Sequence, residues 1–367
     1  MRILFTCYPG FGHLHPMLPL ARAAQRAGHE VAIATGPDLA PRAARYGFET
    51  WPVGLSSSET VARYLALHPD SNDLPAEERL RQVAPRMFVD IAARSRVPQL
   101  RERAERWGAD MIVHDQSESA APIVAAALGT PNAVHSWGPM IPVELVELVL
   151  PAIQALANEH GVRDLGRVID EAPYIDICPP SLQLPGEKAW TRIVPVRHED
   201  PEPVPGEELP AAVERLPHAA TVYVTLGTVV NKQPGLFEAV LEGLAGVEVN
   251  AIVTVGPDVE PARLGSQPRH VLVERYIAQA LVLPRCSALV AHAGAGTMLG
   301  ALAHGLPQLL LPHGAEQHLN AAACRRAGAA LVLEPHEIDP EAIRAARRLA
   351  GEIATMPPAD EALAALV

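Results

Sequence analysis

ALVAHAGAGTMLGALAHGLPQLLLPHGAEQHLN, residues 288–320, decides the fold. ALVA (288–291) and QLLL (308–311), apolar but for Gln308, are short runs of the kind that form strands buried on both faces. Small residues at 292–296 make a tight turn, and a helix near 297–304 separates the two strands. A second helix over 316–327 ends at Gly328, and ALVLE (330–334) is a further strand. Strands that alternate with helices build a parallel sheet. From Cys286 to Ala315, 30 consecutive residues carry no Asp, Glu, Lys or Arg. Five glycines, Pro307, Pro312 and three histidines interrupt that stretch, so it is no membrane span.

Outward from this stretch the same alternation recurs. TVYVTL (221–226) and VNAIVTV (249–255) read as strands around a helix over 235–245. In the first half, residues 2–8, 31–35, 110–115 and 132–136 read as strands, with helices over 16–27 and near 120–128. Residues 55–105 and 140–170 are more polar or irregular and take no sharp assignment. Between the halves, 195–217 is rich in proline and acid, as a semi-rigid connector would be. The expected organisation is α/β with an N-terminal domain 1–195, a linker 196–217 and a C-terminal domain 218–350. A length of 367 residues suits two domains of ordinary size. Ligands of such sheets bind at the carboxyl ends of the strands, and the default site is a cleft between the domains.

Composition narrows the partners. Thirty basic against 42 acidic residues give a net charge of −12, which argues against nucleic acid or an anionic membrane. Neither Lys188 nor Lys232, the two lysines, follows a glycine, so no lysine phosphate loop exists. The N-terminus lacks the apolar core of a signal peptide. Four dispersed cysteines read as reduced structural thiols of a cytoplasmic protein.

Four motifs could carry chemistry. GFGHLHP (10–16) contains Gly12 and follows the first strand. His13 there suits general-base work, since an unperturbed imidazole titrates near pH 6.5; it would serve equally as a cap for the next helix. Asp115 closes the 110–115 strand and could fix the tautomer of His13, or act as a helix cap; His114 alternates to the other side and reads as structural. HAGAGT (292–297) is a phosphate cradle without lysine or a packing turn, with His292, Gly294, Gly296 and Thr297 as the cradle. Thr228 sits in a similar turn after the 221–226 strand. Glu316 and Gln317 could hold vicinal hydroxyls or simply open a helix. No Asp-x-Asp, HExxH or GxSxG pattern occurs, so no metal is expected.

Taken together, Glu274–Asn320 and the GFGHLHP loop resemble the UDP-glycosyltransferase-like family of GT-B fold. YIDICPPSLQLP (174–185) is similar to a segment of its actinobacterial natural-product members. The resemblance implies two Rossmann-like domains facing each other across a cleft, with residues 351–367 packing back on the first. It implies His13 as the base that deprotonates the acceptor hydroxyl and Asp115 as its acidic partner. It places Tyr276 against the nucleobase and Ile277 and Gln279 beside base and ribose. His292, Gly296, Thr297 and Thr228 fall on the pyrophosphate, and Glu316 with Gln317 on the donor sugar.

The departures refine this. Tyr276 and Ala278 replace a commoner Trp and Pro, and Ala291 and Ala293 replace His and Gly. Gly300 stands where UDP-sugar users carry a Glu for the ribose 2′-hydroxyl, which favours a dTDP-sugar. The expected protein is a metal-independent, inverting glycosyltransferase of hexosyltransferase type in antibiotic biosynthesis. It needs no cofactor beyond its nucleotide-sugar donor. The acceptor is a hydrophobic natural-product aglycone; Met87, Phe88, Trp137, Met140 and Leu145 are candidate linings. A homodimer is compatible with this reading. The alternatives are a UDP-sugar-dependent macrolide or phenolic transferase, a C-glycosyltransferase, a sugar-nucleotide epimerase, and a non-catalytic nucleotide-sugar-binding protein.

Overall fold

RILFT, the first strand, is buried at every position but its first, as a strand covered on both faces must be. The computed structural model describes residues 1–332 apart from 75, 187, 228–235, 245–247, 257–258 and 315. Thr228 and the segment 351–367 therefore lie outside the described residues, as do 333 and 334 at the end of the expected 330–334 strand.

Seven strands form the first sheet. They are β1 (Arg2–Thr6), β2 (Glu30–Thr35), β3 (Glu49–Pro52), β4 (Met111–Asp115), β5 (Asn132–His135), β6 (Tyr174–Asp176) and β7 (Ile193–Pro195). Their order is β3-β2-β1-β4-β5-β6-β7 and every pairing is parallel. Six strands form the second: β8 (Thr221–Thr225), β9 (Asn250–Thr254), β10 (Val271–Glu274), β11 (Ala288–Ala291), β12 (Gln308–Leu310) and β13 (Ala330–Val332). Their order is β10-β9-β8-β11-β12-β13, again all parallel. Each sheet is thus doubly wound, and strand order reverses between β1 and β4 in one and between β8 and β11 in the other. Ligand crevices of such sheets open at those reversals, beyond the carboxyl ends of the strands.

The chain folds as two units. Met1–Cys178 with Leu184–Arg197 form one; Pro179–Gln183 and the described residues from His198 onward form the other. Leu4, Val89, Leu100, Ile112, Ile123 and Leu156 build one core, and Val222, Val224, Leu226, Phe237 and Val253 the other. The connector is less solvated than its composition suggests: Val196, His198 and Val204 are buried.

Residues 55–105 and 140–170 are mostly helical, which periodicity alone did not resolve. Helices run over Ser57–Leu67, Ala76–Val83, Arg94–Trp107, Val143–Glu159 and Leu165–Glu171. A wide π-helical stretch, Ala84–Ala93, leads into Arg94–Trp107. Pro98 and Pro151 stand inside helices and disguise them, because proline ordinarily marks a helix end. One signal was readable: Ser56 Oγ accepts the Glu59 N–H, and the Glu59 carboxylate accepts the Ser56 N–H, a capping box. Strands β3, β6 and β7 have only three or four residues, too few to show a period of two.

Candidate active site

His13 and Asp115 come together at the reversal between β1 and β4. The GFGHLHP segment is not an open loop: Phe11–Leu14 is a helical turn that runs through His15–Met17 into the helix Leu18–Arg26. His13 therefore projects from a helical turn rather than a loop. Gly10 has a packing reason, since a Cβ there would press on the His13 ring at 3.0 Å. A Cβ at Gly12 would meet nothing, so its place is open space.

The dyad is well supported. His13 Nδ1 lies 3.2 Å from Asp115 Oδ1. The same carboxylate accepts the backbone N–H of Tyr8 at 2.7 Å on Oδ2 and of Ser117 at 2.6 Å on Oδ1. Burial would raise the Asp115 carboxyl, but His13 and these backbone donors outweigh it and hold it below the usual value. Asp115 is buried, whereas His13 keeps about 23% of its side chain exposed. A buried, ionised carboxylate on Nδ1 directs base chemistry to Nε2. His114 is structural: it is buried, with Nδ1 on the Asp115 carbonyl oxygen and Nε2 near Asn132 Oδ1. Rings surround His13. Tyr8 meets His13 edge-on at 5.5 Å, Trp137 at 5.8 Å, and Phe88 packs on Tyr8 at 4.9 Å. Met87, Phe88 and Leu145 are half-buried, while Met140 belongs to a core cluster with Val134, Tyr174 and Trp190.

The second unit places the cradle residues at the reversal between β8 and β11. The helix begins at Ala295 and runs to Ala303, two residues earlier than its periodicity suggests. Its N-cap, Gly294, has no side chain to bond the orphan N–H groups, which leaves those of Ala295, Gly296 and Thr297 without a side-chain cap. The His292 ring lies between two glycines. A Cβ at Gly294 would collide with its Nε2, and one at Gly227 would approach it to 2.5 Å. Burial, and after it the charge of His313, lowers the His292 imidazole to about 4. It is neutral at physiological pH, and it hydrogen-bonds the Thr225 backbone. Asn320 Nδ2 donates to the Ala293 carbonyl oxygen at 2.9 Å, holding Ala293 in the left-handed region at φ +65. Asn320 was not singled out from the sequence, although it ends the same motif.

The other donor residues divide. Gln279 Nε2 donates to Thr297 Oγ1 at 2.8 Å, joining the 276–279 segment to the glycine-rich turn. Tyr276 is exposed at 44%, as a stacking platform requires, and Ile277 is buried. Gln317 Oε1 accepts the N–H groups of His313 and Gly314, so its carbonyl is spent on its own loop and Nε2 remains as donor. Glu316 is the half-buried N-cap of the helix Gln317–Arg326. Gly300 has a packing cause of its own. A Cβ there would lie 2.8 Å from Asp200 Oδ1 and 3.0 Å from Leu283. The Asp200 oxygens face His198 at 3.7 Å and His304 at 3.6 Å. Among the described residues no group of three or more His, Cys, Asp or Glu is placed to hold a metal ion. No helix among them is long and apolar enough to cross a membrane.

Two parallel doubly wound sheets, a histidine–carboxylate dyad on one and an uncapped glycine-rich helix start on the other, define a GT-B glycosyltransferase. Comparison with known proteins places the chain more narrowly. Residues 22–227 match the N-terminal and 238–364 the C-terminal domain model of the erythromycin biosynthesis protein CIII-like family. The chain belongs to that family of actinobacterial natural-product glycosyltransferases. It is 32% identical to L-demethylnoviosyl transferase of Streptomyces niveus over 92% of this chain and 86% of that one. It is 33% identical to elloramycin glycosyltransferase ElmGT of Streptomyces olivaceus over 99% and 96%. The crystal structure of the glycosyltransferase SnogD from Streptomyces nogalater superposes with a TM-score of 0.81 at 28% identity, covering 100% of this chain and 98% of SnogD.

Proposed function

We propose that this protein transfers a deoxysugar from a dTDP-sugar to a hydroxyl of a hydrophobic natural-product aglycone, with inversion at the anomeric carbon. The observation that carries this reading is the His13–Asp115 pair at the carboxyl edge of the first sheet. His13 Nε2 removes the acceptor proton as the new bond forms, a contribution of about 10²–10⁴ in rate. Asp115 fixes the tautomer and stabilises the imidazolium. The nucleoside diphosphate leaves from the opposite face, so the configuration inverts. Backbone N–H groups at Ala295–Thr297 and the Thr297 hydroxyl take up the charge on the departing pyrophosphate, and neutral His292, wedged between Gly227 and Gly294, shapes the loop that presents them. Glu316 and the Gln317 amide nitrogen hold the sugar hydroxyls. The relatives ElmGT and L-demethylnoviosyl transferase are named as sugar transferases, which supports the reaction class.

The choice of dTDP rests on the ribose side. Gly300 offers a 2′-hydroxyl no partner, and the Asp200 carboxylate above it is turned to two histidines. A deoxyribose leaves nothing unpaired there. The test is a mass-spectrometric screen of hydroxylated aromatic and macrolide aglycones with dTDP- and UDP-sugars in competition. Products from the dTDP-sugar, with inverted anomeric configuration by NMR, are expected. Preference for the UDP-sugar would overturn the donor assignment, and retained configuration the mechanism.

A further inference from the structure

Behind the dyad lies a charged pair that the proposed reaction does not use. Arg96, on the helix Arg94–Trp107, is among the largest fully buried side chains of the described residues. Its Nε lies 2.8 Å from Glu118 Oε2, and both side chains are only 2% exposed. Its Nη2 donates to the Cys7 carbonyl oxygen at 3.0 Å and to Thr6 Oγ1 at 3.2 Å. Those residues lead directly into Tyr8, whose N–H holds Asp115. Glu118 follows Asp115 by one turn: its N–H donates to the Asp115 carbonyl oxygen, and its Oε1 accepts the Ala120 N–H. Even the backbone makes room, since a Cβ at Gly54 would collide with Arg96 Cγ.

Two buried carboxylates stand within one turn of chain, and isolated buried charge is costly. Cys7, Tyr8 and His114, which lie beside them, carry no charge. Burial, and then the Asp115 charge, keeps the Cys7 thiol protonated. Burial raises the Tyr8 phenol, with Asp38 adding to it, and burial keeps His114 neutral. Burial raises Glu118, Arg96 pulls it back, and the Asp115 charge pushes it up again. Among the described residues, the charge-bearing groups of this turn are Asp115, Glu118, Arg96 and His13.

We propose that Arg96 and Glu118 are positioning residues for the catalytic dyad. Arg96 cancels the Glu118 charge and ties β1 to the 115–118 turn, so that the Asp115 charge falls on His13 alone. Without the arginine, two negative charges would hold His13 protonated and spoil it as a base. Without the glutamate, Arg96 would draw on Asp115 and make His13 a weaker base. The inference rests on His13 being the base, but its test needs neither donor nor acceptor.

That test is the His13 titration in the full chain, followed by NMR of labelled histidine. The His13 signal is assigned by its loss in His13→Gln, since the chain has 15 histidines. In Glu118→Gln the midpoint should fall by about one pH unit, the effect of one nearby uncompensated charge. In Arg96→Met/Glu118→Gln, which carries neither charge, it should return to the parent value. If Glu118→Gln does not fold, Arg96→Met should instead raise the midpoint relative to the double variant. An unmoved midpoint in the folded single variant, or a double variant that keeps the shift, overturns the proposal.

Discussion

His13 and Asp115 were readable in sequence as separate candidates; their meeting was not, because 102 residues of chain separate them. What joins them is register: β1 pairs β4 with Thr6 opposite His114, which brings the residues just beyond the two strand ends together. His292 shows the opposite case. Its motif was legible, but its neutrality depends on burial between Gly227 and Gly294, which spacing does not encode. Two outcomes follow at this scale. Asp115→Asn should lower kcat by about 10²-fold or more while dTDP affinity stays within a few-fold, because the wrong tautomer spoils only the base; steady-state kinetics and calorimetry decide it. Gly294→Ala should instead raise the donor KM at least about ten-fold, because its Cβ displaces His292; an unchanged KM would remove His292 from the donor site.

At the scale of elements, the central strands were legible because they are continuous apolar runs, and the helix Ala120–Leu128 because its residues are nearly all apolar. The helices of 55–105 and 140–170 were not. Their polar faces, internal prolines and a π-helical turn break the pattern, and it is tertiary packing that makes them helical. The strand–turn–helix at 288–303 carries a pH prediction. His292 titrates near 4 when folded against about 6.5 unfolded, so the folded state binds fewer protons between those values. Its contribution to stability is complete above about pH 6.5 and is lost as pH falls toward 4. For the same reason, affinity for a dTDP-sugar, whose pyrophosphate keeps a constant charge over this range, should be flat from pH 7.5 to about 5. A marked tightening below pH 6.5, measured calorimetrically, would mean that His292 protonates and binds as a cation.

For the whole molecule, the sequence established two α/β halves, and the structure shows two parallel sheets wound in the same order. The acidic balance still argues against a polyanion partner, but it does not bar a pyrophosphate. The thirty charge-free residues contain an uncapped helix start, the Thr297 hydroxyl and a neutral imidazole, and the proposed function takes this segment as the anion site. The proposed base and the proposed leaving-group site are carried by different units, so they can be uncoupled by substitution. The most direct test is His13→Ala, assayed for sugar transfer from a dTDP-sugar by mass spectrometry and for dTDP binding by calorimetry. Transfer should fall by at least about 10²-fold while the dTDP Kd stays within a few-fold of the parent. A variant that kept most of its transfer would contradict the assignment of His13 as the base.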